Sequence, residues 1–240
     1  MEIIELLGFG AKGWGALILT GMLLTLCVTL ASLAIGALVG GLIATAKLSN
    51  FWWLRVLGTT YTTIFRGVPE LLIIYLIYFG GSNAVTAIGH AMGIEGFLGM
   101  PSFLAGALAV GLISAAYQAE VYRGAYRAIP RGEIEAAASI GMPPLRCVRR
   151  IILPQILRFA IPGLNNVWQL SLKDSALISV TGLAELMRTT QVAAGSTRQY
   201  FMFYIVGGLL YLVLTSFSER LFNSAERRSN KSMPRGMGQV

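Results

Sequence analysis

The sequence predicts an all-α integral membrane protein with five transmembrane helices and one helical loop on the cytoplasmic side. Three observations lead there. Of 240 residues, 55% are hydrophobic and 12% charged, against roughly 25% charged in soluble domains. Five apolar runs reach the roughly 20 residues that a bilayer crossing needs. Lysine and arginine are divided very unevenly between the segments that join those runs.

The spans are read at about 16–44, 56–79, 102–122, 157–184 and 200–219. The first holds no charge and exceeds the length a bilayer requires, which tilt or an extension into solvent accommodates. Within it Gly36 and Gly40 form a small-xxx-small pair, read as a site of close helix packing. The opening residues carry Glu2, Glu5 and Lys12 rather than a basic leader, so no cleavable signal is expected.

Fourteen basic residues, from Lys47 and Arg55 through the 123–158 loop to Arg235, fall on one side of the five-span scheme. Three, Lys12, Arg188 and Arg198, fall on the other, while Arg66 and Lys173 lie within spans. The bias predicts an N-terminus outside, a C-terminus inside and an outer loop over 82–100. It also accounts for the net charge of +8 with no nucleic-acid partner. The tail beyond Glu226 reads as a disordered cytoplasmic end. Cys27 and Cys147 are far apart, and His90 is the one histidine, so neither a disulfide, a metal site nor a cofactor is expected. His90 and Glu95 are assigned to a solvated outer surface.

The most informative segment is 123–158, too polar to span. Arg131 to Ile140 reads as a short helix with acids near its start. Gly141 stands where a glycine ends such a helix. Pro143 and Pro144 suit the first turn of a second helix, expected to stop near Pro154. Glu135-Ala136-Ala137, then Gly141, Ile151, Leu153 and Pro154, resemble at every position the E-A-A-x3-G-x9-I-x-L-P loop of ABC-importer permeases. Arg66-Gly67-Val68-Pro69-Glu70, Tyr117 to Gly124 with Glu120 and Arg123, and Leu172-Lys173-Asp174-Ser175 are similar to segments of polar amino-acid permeases. The likeness covers roughly residues 18–222 and is greatest to Q-type permeases of histidine/lysine/arginine/ornithine and opine importers.

That resemblance implies a type I ABC importer subunit of MetI-like fold. It implies cytoplasmic ABC ATPase subunits, a homologous second permease in a heterodimer, a periplasmic solute-binding protein and an amino acid or opine as substrate, in an inner membrane among lipid. It implies that Glu135, Ala136, Ala137, Gly141, Ile151, Leu153 and Pro154 form the ATPase-coupling loop. The resulting division is 1–15 periplasmic segment, 16–222 permease domain and 223–240 cytoplasmic tail. No phosphate-binding G-x-x-x-x-G-K-[ST] occurs, so ATP hydrolysis falls to a partner and no catalytic residue is assigned.

Charges within spans are costly and persist when paired or when lining a pathway. Arg66, Glu70 and Asp174 are therefore pathway candidates, with fixed ion pairing, Lys173 to Asp174 above all, as the competing reading. Pro69 is expected to break the second span. Glu120 is expected to pair with Arg123. An autonomous secondary carrier is the alternative function, though no internal repeat of the kind such carriers show is evident.

Overall fold

The computed structural model describes residues 3–10 and 13–230. Among these every regular element is helical. A short α1 (Ile3–Leu7) precedes α2 (Gly15–Leu48), and α3 (Trp52–Gly67) is followed by α4 (Glu70–Ala91) and α5 (Ser102–Arg127). The loop between α5 and α8 contains α6 (Arg131–Ser139) and α7 (Pro144–Cys147). A π turn (Val148–Ile152) carries α7 directly into α8 (Leu153–Asp174), and a 3-10 turn (Ser175–Thr181) follows. The chain closes with α9 (Leu186–Thr197) and α10 (Tyr200–Asn230).

α2 shows how the bilayer inverts the usual rule of packing. Its buried positions are Ile18, Gly21, Thr25, Val28, Thr29, Ser32, Gly36, Gly40 and Ala44, a stripe of mostly small residues at helical spacing. Leu19, Leu23, Leu30, Leu38 and Leu42 point away from the protein. Lipid tails satisfy leucine as well as a protein core does, so small residues are kept for close backbone approach. A Cβ at Gly40 would stand 2.8 Å from the Ala115 carbonyl oxygen, which fixes how tightly α2 crosses α5. The hydroxyls of Thr25, Thr29 and Ser32 donate to carbonyls four residues back, at 3.1, 2.7 and 2.8 Å, so no polar group in the stripe is stranded.

α5 is the central helix, with Ala105, Ala109, Val110, Ala115, Ala116 and Ala119 all buried. The helical run breaks where Pro69 predicts, but the second span expected at 56–79 is corrected: the helix long and apolar enough to cross is α4 alone, Glu70–Ala91, which begins at the break. Val68 is extended at φ −91° and ψ 138° and Pro69 caps α4. The residue before proline is driven out of the helical region by the ring. α3 is anchored to α5 by the Tyr61 hydroxyl, which donates to the Leu112 carbonyl at 2.8 Å.

Four described helices are long and apolar enough to cross a membrane: α2, α4, α5 and α10. The expected fourth span is met by α8 and its 3-10 extension, whose polar residues (Arg158, Asn165, Asn166, Gln169, Lys173) keep it from that class. Three further expectations need correction. The second loop helix does not stop at Pro154. The π turn runs directly into α8, with Leu153 N–H bonding the Val148 carbonyl, so the helix passes through Pro154 instead of ending there, and one rod results. The segment after Glu226 is helical through Asn230, and residues 231–240 lie outside the described ones. The outer loop is shorter than 82–100, because α4 runs to Ala91. The loop is then tied down by Met100 N–H to Ser82 Oγ at 3.0 Å and by His90 Nε2 to the Gly96 carbonyl at 2.9 Å.

Candidate functional site: a coupling loop and a broken membrane path

The loop site is assembled from α6, α7 and the start of α8. Ile129, Ala137, Cys147 and Ile152 form a small core, flanked by Ile134, Met142, Ile151, Ile156 and Phe159. It anchors α6 to the rod. α6 ends in a Schellman motif: Met142 N–H donates to the Ala137 carbonyl at 3.0 Å, and Gly141 N–H to the Ala138 carbonyl at 2.9 Å. The motif places Gly141 at φ +71°, a region costly for residues with a Cβ. A Cβ there would meet nothing within 4 Å, so backbone conformation, and not space, demands glycine. The Gln155 amide donates to the Glu133 carboxylate and ties α6 to the head of α8.

Between α6 and the rod lies a groove of about 520 Å³ lined by Glu133, Ala136, Ala137, Ile140, Arg150, Ile151, Pro154 and Gln155. Four of the seven loop residues singled out from sequence thus meet: Ala136, Ala137, Ile151 and Pro154. Gly141 shapes the turn above the groove. Glu135 and Leu153 are exposed and outside its lining. Ala137 is 3% exposed and packs within this chain, so Ala136 is the alanine of the pair that a partner could touch. Among the described residues Glu135 has no ion pair within the loop. Ile140, 77% exposed, was not anticipated. A bulky apolar side chain just before the turn at Gly141 of a polar loop was the available signal.

The membrane charges divide. Arg66, in the last turn of α3, lies over the Tyr117 ring of α5 at 5.3 Å, a cation–π contact. Glu70 begins α4 and Asp174 ends α8, and α4 packs against the 3-10 turn that follows Asp174. Among the described residues neither carboxylate forms an ion pair, and Lys173 does not bridge to Asp174. Lys173 instead faces a separate cavity of about 560 Å³ between α8, α9 and α10, with Thr190, Tyr204, Gly207 and Tyr211 in its wall. Glu120 pairs with Arg123 at 2.6 Å, as its spacing predicts, and also with Lys47 of α2.

Glu185 was missed altogether. Its side chain is 0% exposed and caps α9, accepting from the amides of Met187 and Arg188 at 2.8 and 2.7 Å. The Tyr211 hydroxyl of α10 donates to it at 3.0 Å. Thr25 of α2 accepts from Leu186 N–H at 3.1 Å beside it. One carboxylate therefore knits α2, α9 and α10 together. Nothing local in the sequence marks it beyond an acid preceding a helix.

The chain matches the family model "Binding-protein-dependent transport system inner membrane component" over residues 35–231. The chain belongs to that family. It is 49% identical over 237 residues to the octopine transport system permease protein OccQ of Rhizobium meliloti, covering 99% of this chain and all of the relative. It is 38% identical over 223 residues to the histidine/lysine/arginine/ornithine transport system permease protein HisQ of Escherichia coli, covering 93% and 97%. A crystal structure of an amino acid ABC transporter with histidines superposes with a TM-score of 0.75 at 33% identity, covering 90% of this chain and 95% of that one. The MetNI methionine transporter shares the fold, with a TM-score of 0.71 at 19% identity.

The protein is thus the non-catalytic permease subunit of an ABC importer in the inner membrane, with a MetI-like fold, working with a separate ATPase and a binding protein. The autonomous carrier reading is set aside.

Proposed function

We propose that this permease passes a basic amino acid or an opine, with Glu70 and Asp174 as the acidic groups along its path. The observation that carries the reading is their placement. Glu70 opens α4 directly after the Val68–Pro69 break, Asp174 closes α8, and α4 packs against the 3-10 turn that follows Asp174, with no cation bridging either carboxylate among the described residues. Unpaired carboxylates are costly at membrane depth unless a cation or water visits them. A substrate guanidinium or ammonium is the visitor that fits. The substrates named for the octopine and histidine/lysine/arginine/ornithine relatives agree with this chemistry.

In the same reading the α6 groove with Ala136, Ile151 and Pro154, together with Glu135 and Leu153, receives the ATPase. The second permease is a homologue, giving a heterodimer. The N-terminus faces the periplasm and the C-terminus the cytoplasm, with 16–222 as the permease domain.

The test is Glu70→Gln in proteoliposomes with the native binding protein. Assembly and basal ATP hydrolysis are expected to persist, while uptake of a cationic solute falls at least tenfold, about 1.4 kcal/mol, with less effect on a neutral one. Full cationic uptake would leave selectivity to the binding protein and make Glu70 structural.

A further inference from the structure

The coupling groove borders a second hollow, a cleft of about 500 Å³ lined by Pro143, Leu145, Arg146, Arg149 and Arg150. Arg150 stands in the wall of both. All three arginines are exposed, and no acidic side chain lines the cleft. Neither ion pair among the described residues involves them. The basic bias of an inner loop calls for arginines somewhere in the segment, not for three around one hollow.

The loop has no counter-charge of its own to offer them. Residues 123–158 contain two acids, Glu133 and Glu135. Glu133, in the wall of the groove, receives the Gln155 amide. Glu135 lines neither hollow. The docking of the ATPase in the groove, the reading on which this inference rests, turns that lack into a requirement. A protein seated against Ala136, Ile151 and Pro154 also covers Arg150. A guanidinium taken out of water with no partner is costly, and Arg146 and Arg149 beside it add like-charge repulsion. A carboxylate on the covering protein removes both costs, because the planar fork of arginine matches its two oxygens with paired hydrogen bonds. The same protein finds an apolar footing in each hollow. Ile140, 77% exposed, lines the groove, and Leu145, 80% exposed, lines the cleft.

We propose that the ATPase presents a cluster of Asp or Glu side chains that enters this cleft and pairs with Arg146, Arg149 and Arg150. Docking then divides between two adjoining hollows, a groove closed by shape and a cleft closed by charge. An ATPase that fits the groove but lacks the acids leaves the arginines covered and unpaired, so the cleft selects the cognate subunit.

The assembled transporter complex provides the test. Arg146→Lys/Arg149→Lys places primary amines in the cleft, and a carbodiimide then joins any amine to a carboxylate it touches. Mass spectrometry is expected to find position 146 or 149 linked to an Asp or Glu of the ATPase. Arg146→Gln/Arg149→Gln is expected to weaken ATPase retention roughly tenfold at about 0.1 M salt, where charges act over about 10 Å. Near 1 M salt, where that range falls to about 3 Å, the glutamine variant and the parent are expected to converge. The lysine variant is expected to keep the parent's retention and salt dependence. Ala136→Cys carrying a photo-cross-linker, in a background with Cys27 and Cys147 replaced by alanine, reports separately whether the ATPase occupies the groove. No product from Ala136→Cys overturns the docking reading, and this inference with it. A product there, together with no carbodiimide link to the ATPase, overturns the inference alone. So does parental retention of the ATPase by the glutamine variant at low salt, or a carbodiimide link to the second permease in place of the ATPase.

Discussion

Lys47 and Glu120, 73 positions apart in sequence, meet as an ion pair that joins the C-terminal end of α2 to α5. The same ammonium donates to Thr62 Oγ1 of α3 at 2.7 Å, and the same carboxylate receives Arg123 at 2.6 Å. Three helices are therefore fastened by one partly buried cluster.

Lys47→Met leaves Glu120 with Arg123 alone and strands the Thr62 contact. The expected loss is about 1.5–3 kcal/mol, the worth of a hydrogen bond to a charged group. Thermal unfolding of the purified complex reads it. Glu120→Gln, which keeps an acceptor for Lys47, is expected to cost less. Equal stability of Lys47→Met and the parent chain would show the pair to be idle.

Gly141→Val is expected to abolish uptake and loosen the ATPase while membrane insertion stays intact. A residue with a Cβ pays about 1–2 kcal/mol in the left-handed region, and a β-branched one more. Gly141→Asn, whose side chain tolerates that region, should retain substantial transport. The ordering glycine, asparagine, valine is the check, because a purely steric role would place asparagine and valine together.

Glu185→Ala removes the acceptor of two amides and of Tyr211 at once. An orphaned cap together with an unmet buried hydroxyl predicts a loss of about 2–3 kcal/mol. Limited proteolysis is expected to open the chain near α9 before it opens elsewhere. Protection of that segment at parental levels would remove Glu185 from this role.

Topology is testable at positions the fold exposes. Ser82 is a poor reporter, since it is buried and accepts from Met100. Glu95→Cys and Ser224→Cys are both on exposed residues. In a background with Cys27 and Cys147 replaced by alanine, an impermeant thiol reagent added from the periplasm should modify the first and spare the second. The reverse pattern defeats the N-out assignment.

What the sequence revealed and what it hid differ in range. The break at Pro69 and the turn at Gly141 are local: one ring forbids one conformation, and one missing Cβ permits another, so both were legible residue by residue. The Glu120–Arg123 pair was legible for the same reason, being one helical turn long. Lys47 on Glu120 and Glu185 beneath Tyr211 depend on how distant helices pack, which no window of sequence contains. The end of the second loop helix was misplaced because Pro154 looks like a terminator, whereas a π turn just before it carries the helix on into α8. The loop residues divided likewise. Ala136 and Ala137 look equivalent in the chain and both line the groove, yet helical rotation buries Ala137 with Cys147 and Ile152 and leaves Ala136 exposed.

The continuous helical run from Pro144 to Asp174, with Pro162 inside it, has a mechanical consequence. Its α8 portion of 22 residues is roughly 33 Å long at 1.5 Å per residue. The coupling groove grips one end and a membrane carboxylate sits at the other. By the same geometry, tilting the rod by about 5° at the π turn sweeps Asp174 through about 3 Å, the length of a hydrogen bond. A push too small to disturb the packing of α6 is thus enough, at the far end of the lever, to make or break a single polar contact.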